Sequence, residues 1–194
     1  MVWLPRTTYQ ETKEVLQTPS HPASRLGFSE FLDEKNILFF PQGESRIGVV
    51  EALVRTFPGL DHRELLTDLW GREREGSLII APDISILRAR VEGVLHVQVA
   101  MGICPAGFTD PSNPNGVTRL VVLLVGSSDR LRIHLRFLVE ISSMFRDKTL
   151  AKRLLRLRDS RQVLSTLRQT ESMGFEPNAL KRWFRNLTLS GLAS

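Results

Sequence analysis

Four histidines, one cysteine and a few arginines set beside carboxylates are the side chains that could hold or move a charged group. Cys104 precedes Pro105 and has no positioned basic partner in sequence, so a reactive thiolate is not expected. A single cysteine also excludes an intramolecular disulfide and a cysteine-rich metal site. His21 falls in a polar, proline-punctuated stretch, His62 follows a helix cap, and His96 sits on the polar side of an alternating run. His134 begins a helical pattern. There an imidazole can assist an anion near the helix's free N-terminal amides, or simply fill the gap between helix and sheet. Arg72 carries a planar fork suited to a carboxylate or a phosphate. Its bland alternative is a surface ion pair with Asp68, Glu73 or Glu75. Asp83, after Pro82, reads as a loop residue or as the cap of a helix over Ile84–Arg90. Phosphate-cradling glycine motifs and zinc spacings are absent, so no cofactor or metal is expected.

These residues need elements to position them. Phe28, Phe31 and Leu32 are spaced for one helical turn, and Ile37–Phe40 reads as a short strand stopped by Pro41. Ile47, Val50, Leu53, Val54 and Phe57 repeat at helical spacing until Pro58-Gly59. Asp61, with Glu64 three residues on, starts a helix that turns Leu65, Leu66, Leu69 and Trp70 inward. Leu78–Ala81 is a strand. Val94–Met101 alternates, as a half-buried strand does. Gly102–Thr118 holds three prolines and three glycines and reads as a loop. Leu120–Val125 is apolar at every position, as a central strand covered on both faces requires. From Arg130 the period is helical: Leu131, Leu135, Leu138, Ser142 and Phe145, then a helix capped by Asp147, then one starting at Asp159-Ser160. Strands mixed with helices predict an α/β domain, a mixed β-sheet flanked by helices on both faces.

The chain has 194 residues, 42% of them hydrophobic and 24% charged, which excludes wholesale disorder. The longest apolar run, Leu120–Gly126, is strand-sized and far short of a membrane span. The N-terminus lacks the basic start, apolar run and cleavage site of a secretory signal, so a cytoplasmic protein is expected. Residues 130–194 carry 14 Lys+Arg against 5 Asp+Glu, while residues 1–129 carry 12 against 16. The basic residues interleave with a helical apolar period rather than forming a block, so they read as solvated helix faces and nucleic acid is not the expected partner. Three segments follow: an N-terminal extension over 1–27, a domain over 28–170 and a helical tail over 171–194. The tail's Arg182, Trp183, Phe184 and Arg185 could dock on a partner or a membrane surface, or pack on the domain or across a homodimer.

Leu65–Ser77 ends in Arg72-Glu73-Arg-Glu-Gly76-Ser77, and Ala81-Pro82-Asp83 follows. Further on come His134-Leu135, Phe145-Arg-Asp147-Lys148 and Asp159-Ser160-Arg-Gln-Val-Leu. In order and spacing, these stretches resemble the enzyme IIA domain of the bacterial phosphotransferase system. The resemblance is to its mannitol/fructose type, and within it to the nitrogen-regulatory branch. The family ends a helix in Arg-Glu-x-x-Gly-Ser and has a Pro-His pair downstream.

The resemblance implies an enzyme IIA type-2 fold. In the family, the histidine of Pro-His takes a phosphoryl group from a small carrier protein, while the arginine and a second histidine assist. Carried onto this chain, the arginine is Arg72 and the second histidine is His134. The acceptor position falls on Asp83, with the preceding glycine-rich segment about five residues shorter than the family's. The implied function is that of a regulatory, degenerate phosphotransferase component acting by protein contact and anion sensing. Its partners would be phosphotransferase components, a transporter or a kinase. The alternative is an active phosphoryl carrier using another residue. On this reading Asp83 becomes a fixed negative charge standing in for phosphohistidine, paired with Arg72 and adjacent to His134, or else a site of acyl-phosphate chemistry.

Overall fold

A strand with no polar position, such as Leu120–Val125, is stable only with both faces covered. The computed structural model describes residues 27–75, 78–81, 83–94, 96–110, 116–127, 131–145 and 148–172. Within them that run lies at the centre of a five-stranded sheet. Strands β1 (Leu32–Phe39), β2 (Leu78–Ala81), β3 (Ile84–Arg90), β4 (Gln98–Thr109) and β5 (Val117–Gly126) stand in the order β1-β4-β5-β3-β2. The β1–β4 and β3–β5 pairs are parallel, and β4–β5 and β2–β3 antiparallel. The sheet is therefore mixed, as expected.

The pleat of β5 sorts its side chains between two cores. Leu120, Val122 and Leu124 join Ile84 and Ile86 beneath α3 (Leu131–Met144), α4 (Lys148–Leu154) and α5 (Ser160–Ser172), through Phe137, Ile141, Leu154, Val163 and Leu167. Val121, Leu123 and Val125 join Leu87 and Ala89 beneath α1 (Arg46–Arg55) and α2 (His62–Glu75), through Val50, Leu53, Leu65 and Leu69. Helices thus cover both faces. Their starts are set by short polar side chains. Ser45 Oγ accepts the Gly48 amide at 3.0 Å, and Asp61 Oδ1 accepts the amides of Arg63 and Glu64 at 2.8 and 3.2 Å. The Glu64 amide, and then that of Arg63, hold the Asp61 carboxyl below its ordinary pKa of 3.8.

Four local expectations are corrected. Ile84–Arg90 is a strand, not a capped helix, because all seven residues pair with β5 and both its faces meet helices. The segment Gly102–Thr118 is strand as far as Thr109 and again from Val117. Two of the turn signals, Pro105 and Gly107, fall in an irregularity between Ile103 and Phe108, where Gly107 takes φ +72° and a Cβ would lie 2.2 Å from Val117 Cγ1. β1 begins at Leu32, with exposed Asp33, Glu34 and Lys35 in its irregular part before Ile37. Ile47, placed inward by periodicity, is 60% exposed.

A single 3-10 turn, Phe28–Phe31, carries the chain into β1. Phe28 is fully buried and its amide donates to Glu140 Oε1 at 2.9 Å; the Ser29 amide donates to Glu171 Oε1 at 2.8 Å. The Phe31 ring meets Phe137 edge-on at 4.7 Å. The start of the domain is thereby strapped to α3 and α5. The N-terminal extension up to residue 26, the Asp147 cap and the expected helical tail beyond Ser172 lie outside the described residues. Among the described residues no helix is long and apolar enough to cross a membrane.

Candidate functional site

The two ends of β3 organise the candidate residues. Asp83 precedes the strand, in the turn from β2. Its carbonyl accepts the amides of Arg119 and Leu120 at 2.8 and 3.0 Å, which extends the β3–β5 ladder by one residue. Its half-buried carboxylate makes no ion pair or hydrogen bond among the described residues.

Arg72 stands at the other end, one turn before the close of α2. Its Nε donates to Asp68 Oδ2 at 2.7 Å and its Nη2 to Asp68 Oδ1 at 3.1 Å, a two-pronged pair across one helical turn. Asp68 Oδ2 also accepts the backbone amide of Arg90, at 2.7 Å. The reason lies in the strand. The Val91 amide bonds to Gly126 of β5, so the Arg90 amide faces the opposite edge. There β2 has already ended, its last pairing being Leu78 with Ile86, and Asp68 supplies the missing acceptor.

The expected Asp83–Arg72 ion pair is not formed. Seven residues of extended chain separate Asp83 from Arg90, about 23 Å at ~3.3 Å each. Arg72 is tied to Arg90 through Asp68, so the tertiary structure brings Arg72 to the far end of β3 and leaves Asp83 at the near one.

His134 belongs to the second group by topology. β5 ends at Gly126, opposite Arg90, and α3 begins at Leu131, so the first turn of α3 starts from the end of the sheet that holds Arg72. The His134 side chain is outside the described part of the structure. His21 and the pair Gly76-Ser77 are likewise outside it. Of the remaining histidines, His62 places Nε2 3.0 Å from the Phe57 carbonyl, and His96 is exposed in a loop. Burial pushes the Cys104 thiol up to about 12, with the charge of Glu44 adding to the effect, so it is inert as a nucleophile near neutrality.

Sequence reasoning missed one charged cluster. Arg46, the first residue of α1, reaches Glu73 of α2 through Nη2, and its Nε lies 3.1 Å from Asp110 Oδ2 just beyond β4. Its guanidinium carbon stands 5.0 Å from the centre of the Trp70 ring. The side chains of Glu73 and Asp110 are 8% and 1% exposed. No local spacing signals this cluster, since its members come from three separate elements. Among the described residues no group of histidine, cysteine or carboxylate side chains could hold a metal ion.

A mixed five-stranded sheet between two helical layers is the fold of a class of phosphotransferase domains. The family model described as "Phosphoenolpyruvate-dependent sugar phosphotransferase system, EIIA 2" matches residues 30–170, and the chain belongs to that family. The chain is similar in structure to the nitrogen regulatory protein IIA-Ntr of Neisseria meningitidis, with a TM-score of 0.64 and 20% identity over 72% of this chain and 97% of that one. It is also similar to enzyme IIA of the Escherichia coli mannitol system, seen in complex with phosphorylated enzyme IIB, with a TM-score of 0.59 and 17% identity over 71% and 96%. A third structure is the mannitol-specific cryptic enzyme IIA of Escherichia coli, with a TM-score of 0.55 and 16% identity over 72% and 96%. No curated protein matches the chain.

Proposed function

We infer that the protein is a regulatory enzyme IIA-type domain that has lost its phosphoryl acceptor and acts through contact with protein partners. One observation carries this reading: at the end of β3 where Arg72 lies, the strand itself carries Arg88 and Arg90 and no histidine. The register supports it. Taking Asp83 as the acceptor position requires a segment about five residues shorter than the family's. Without that gap the family's Pro-His falls on Leu87-Arg88, at the end of the strand to which Arg72 is tied. Asp83 then belongs to the β2–β3 turn, and arginine takes the place of the nucleophile.

The chemistry follows from the exchange. Histidine offers a nucleophilic nitrogen to a phosphoryl group, whereas a guanidinium stays protonated and offers only donors. Such a site can recognise an oxyanion and cannot carry a phosphoryl group. Arg72 and His134 are its anion-binding residues in this reading. The protein works in the cytoplasm, and the partners are phosphotransferase components, a transporter or a kinase. The mannitol enzyme IIA, bound to its phosphorylated enzyme IIB, is the model for such a contact.

The alternative is a working phosphoryl carrier that uses another residue, with His134, at the Arg72 end of the sheet, the first to test. Incubation with phosphoenolpyruvate, the general kinase protein and the carrier protein, followed by intact mass, decides between them. The expected result is an unchanged mass. A stoichiometric gain of one phosphoryl group, abolished by His134→Ala, would establish the carrier.

A further inference from the structure

We propose that Asp68 is a built-in anion that fills the fork of Arg72 and keeps a phosphoryl oxyanion out of the site until it is displaced. The inference rests on the reading of Arg72 as an anion-binding residue. It also rests on three contacts: Arg72 Nε to Asp68 Oδ2 at 2.7 Å, Arg72 Nη2 to Oδ1 at 3.1 Å, and the Arg90 amide to Oδ2 at 2.7 Å. Two parallel guanidinium bonds and one backbone amide are the donors a phosphate would find at the same place. The carboxylate holds them in the arrangement that an oxyanion uses.

The pair is poised rather than sealed. The side chains of Arg72 and Asp68 are 28% and 27% exposed, so an incoming oxyanion can reach the fork from solvent. Asp68 lies one helical turn before Arg72 and needs only a change of rotamer to leave it. The Arg90 amide stays in place when it does, because β3 remains paired with β5. Asp68 is thus a positioning residue that acts through Arg72. The ligand class is a phosphate monoester, phosphoramidate or free phosphate.

The test uses the full chain in phosphate-free buffer, with inorganic phosphate as the probe and isothermal calorimetry as the readout. Asp68→Asn keeps an acceptor for the Arg90 amide but removes the charge. It is expected to bind phosphate at least about tenfold more tightly than the wild type, the worth of one charge-assisted contact. Asp68→Glu is expected to restore the wild-type behaviour, which a merely structural role would not produce. Asp68→Asn combined with Arg72→Gln is expected to lose the gain. If Asp68→Asn does not fold, Asp68→Ser takes its place, since a hydroxyl also accepts an amide.

Equal phosphate binding by wild type and Asp68→Asn would overturn the inference. So would a gain that survives Arg72→Gln, which would locate the ion elsewhere. The two failures are separable: stoichiometric phosphorylation of the wild type defeats the regulatory reading, whereas phosphate binding indifferent to Asp68 defeats only this inference.

Discussion

Helix α2 carries two ion pairs within one turn of each other, and they differ in kind. Arg72 pairs with Asp68 on the same helix, and about a quarter of each side chain faces water. Glu73, the next residue, turns to Arg46 of α1, which also meets Asp110 beyond β4 and the ring of Trp70. The first pair is local and adjustable. The second joins three distant elements in a place with little water. A charge in the second place cannot relax into solvent when its partner leaves, whereas one in the first can. Neighbouring positions in the sequence are therefore held differently, one fixed between three elements and one open to solvent.

The largest expected effect tests that contrast. Arg46→Met keeps an apolar stem against Trp70 but strips Glu73 and Asp110 of their shared cation, and should destabilise the domain by about 3 kcal/mol. Urea unfolding measures it. A loss below about 1 kcal/mol would mean that the cluster is better solvated than its burial indicates.

Arg72→Gln should cost less than about 1 kcal/mol by the same measurement, because both partners are partly exposed and Asp68 keeps its bond to the Arg90 amide. The contrast breaks if the two variants rank the other way.

The smallest effect belongs to the opposite end of α2. The folded pKa of Asp61 is lowered, so its cap contributes fully above its ordinary value of 3.8. That contribution is lost as the pH falls through the lowered folded value. The stability difference between wild type and Asp61→Ala, followed by urea unfolding from pH 6 downward, should shrink only below about pH 4. A difference that already shrinks near pH 6 would assign the cap to another group.

Much of the fold was legible along the chain. The wholly apolar run Leu120–Val125 announced a central strand, and Asp61 with the stripe Leu65, Leu69 announced α2 and its buried side. Ile84–Arg90 was harder, because a short segment with polar residues among apolar ones fits a helix or a strand equally well. Only pairing with β5 decides it. The strand ends around Gly107 were hidden by glycine and proline, which mark a bulge as readily as a loop. Ile47 fits the apolar period of α1 and still faces solvent, because periodicity defines a face but not its width.

The sequence by itself determined the layers, the central strand, the cap at Asp61 and the family motifs, since these depend on spacings of a few residues that local geometry converts directly into faces and ends. Which charged groups meet was decided by the tertiary structure. Arg72 and Asp83 are close in sequence, yet the strand that follows Asp83 carries the chain back to Arg72 only at Arg90. Arg46, Glu73 and Asp110 are far apart in sequence and meet because α1, α2 and the close of β4 converge. The direction of a strand and the packing of helices across it are properties of the whole sheet, and no local spacing encodes them.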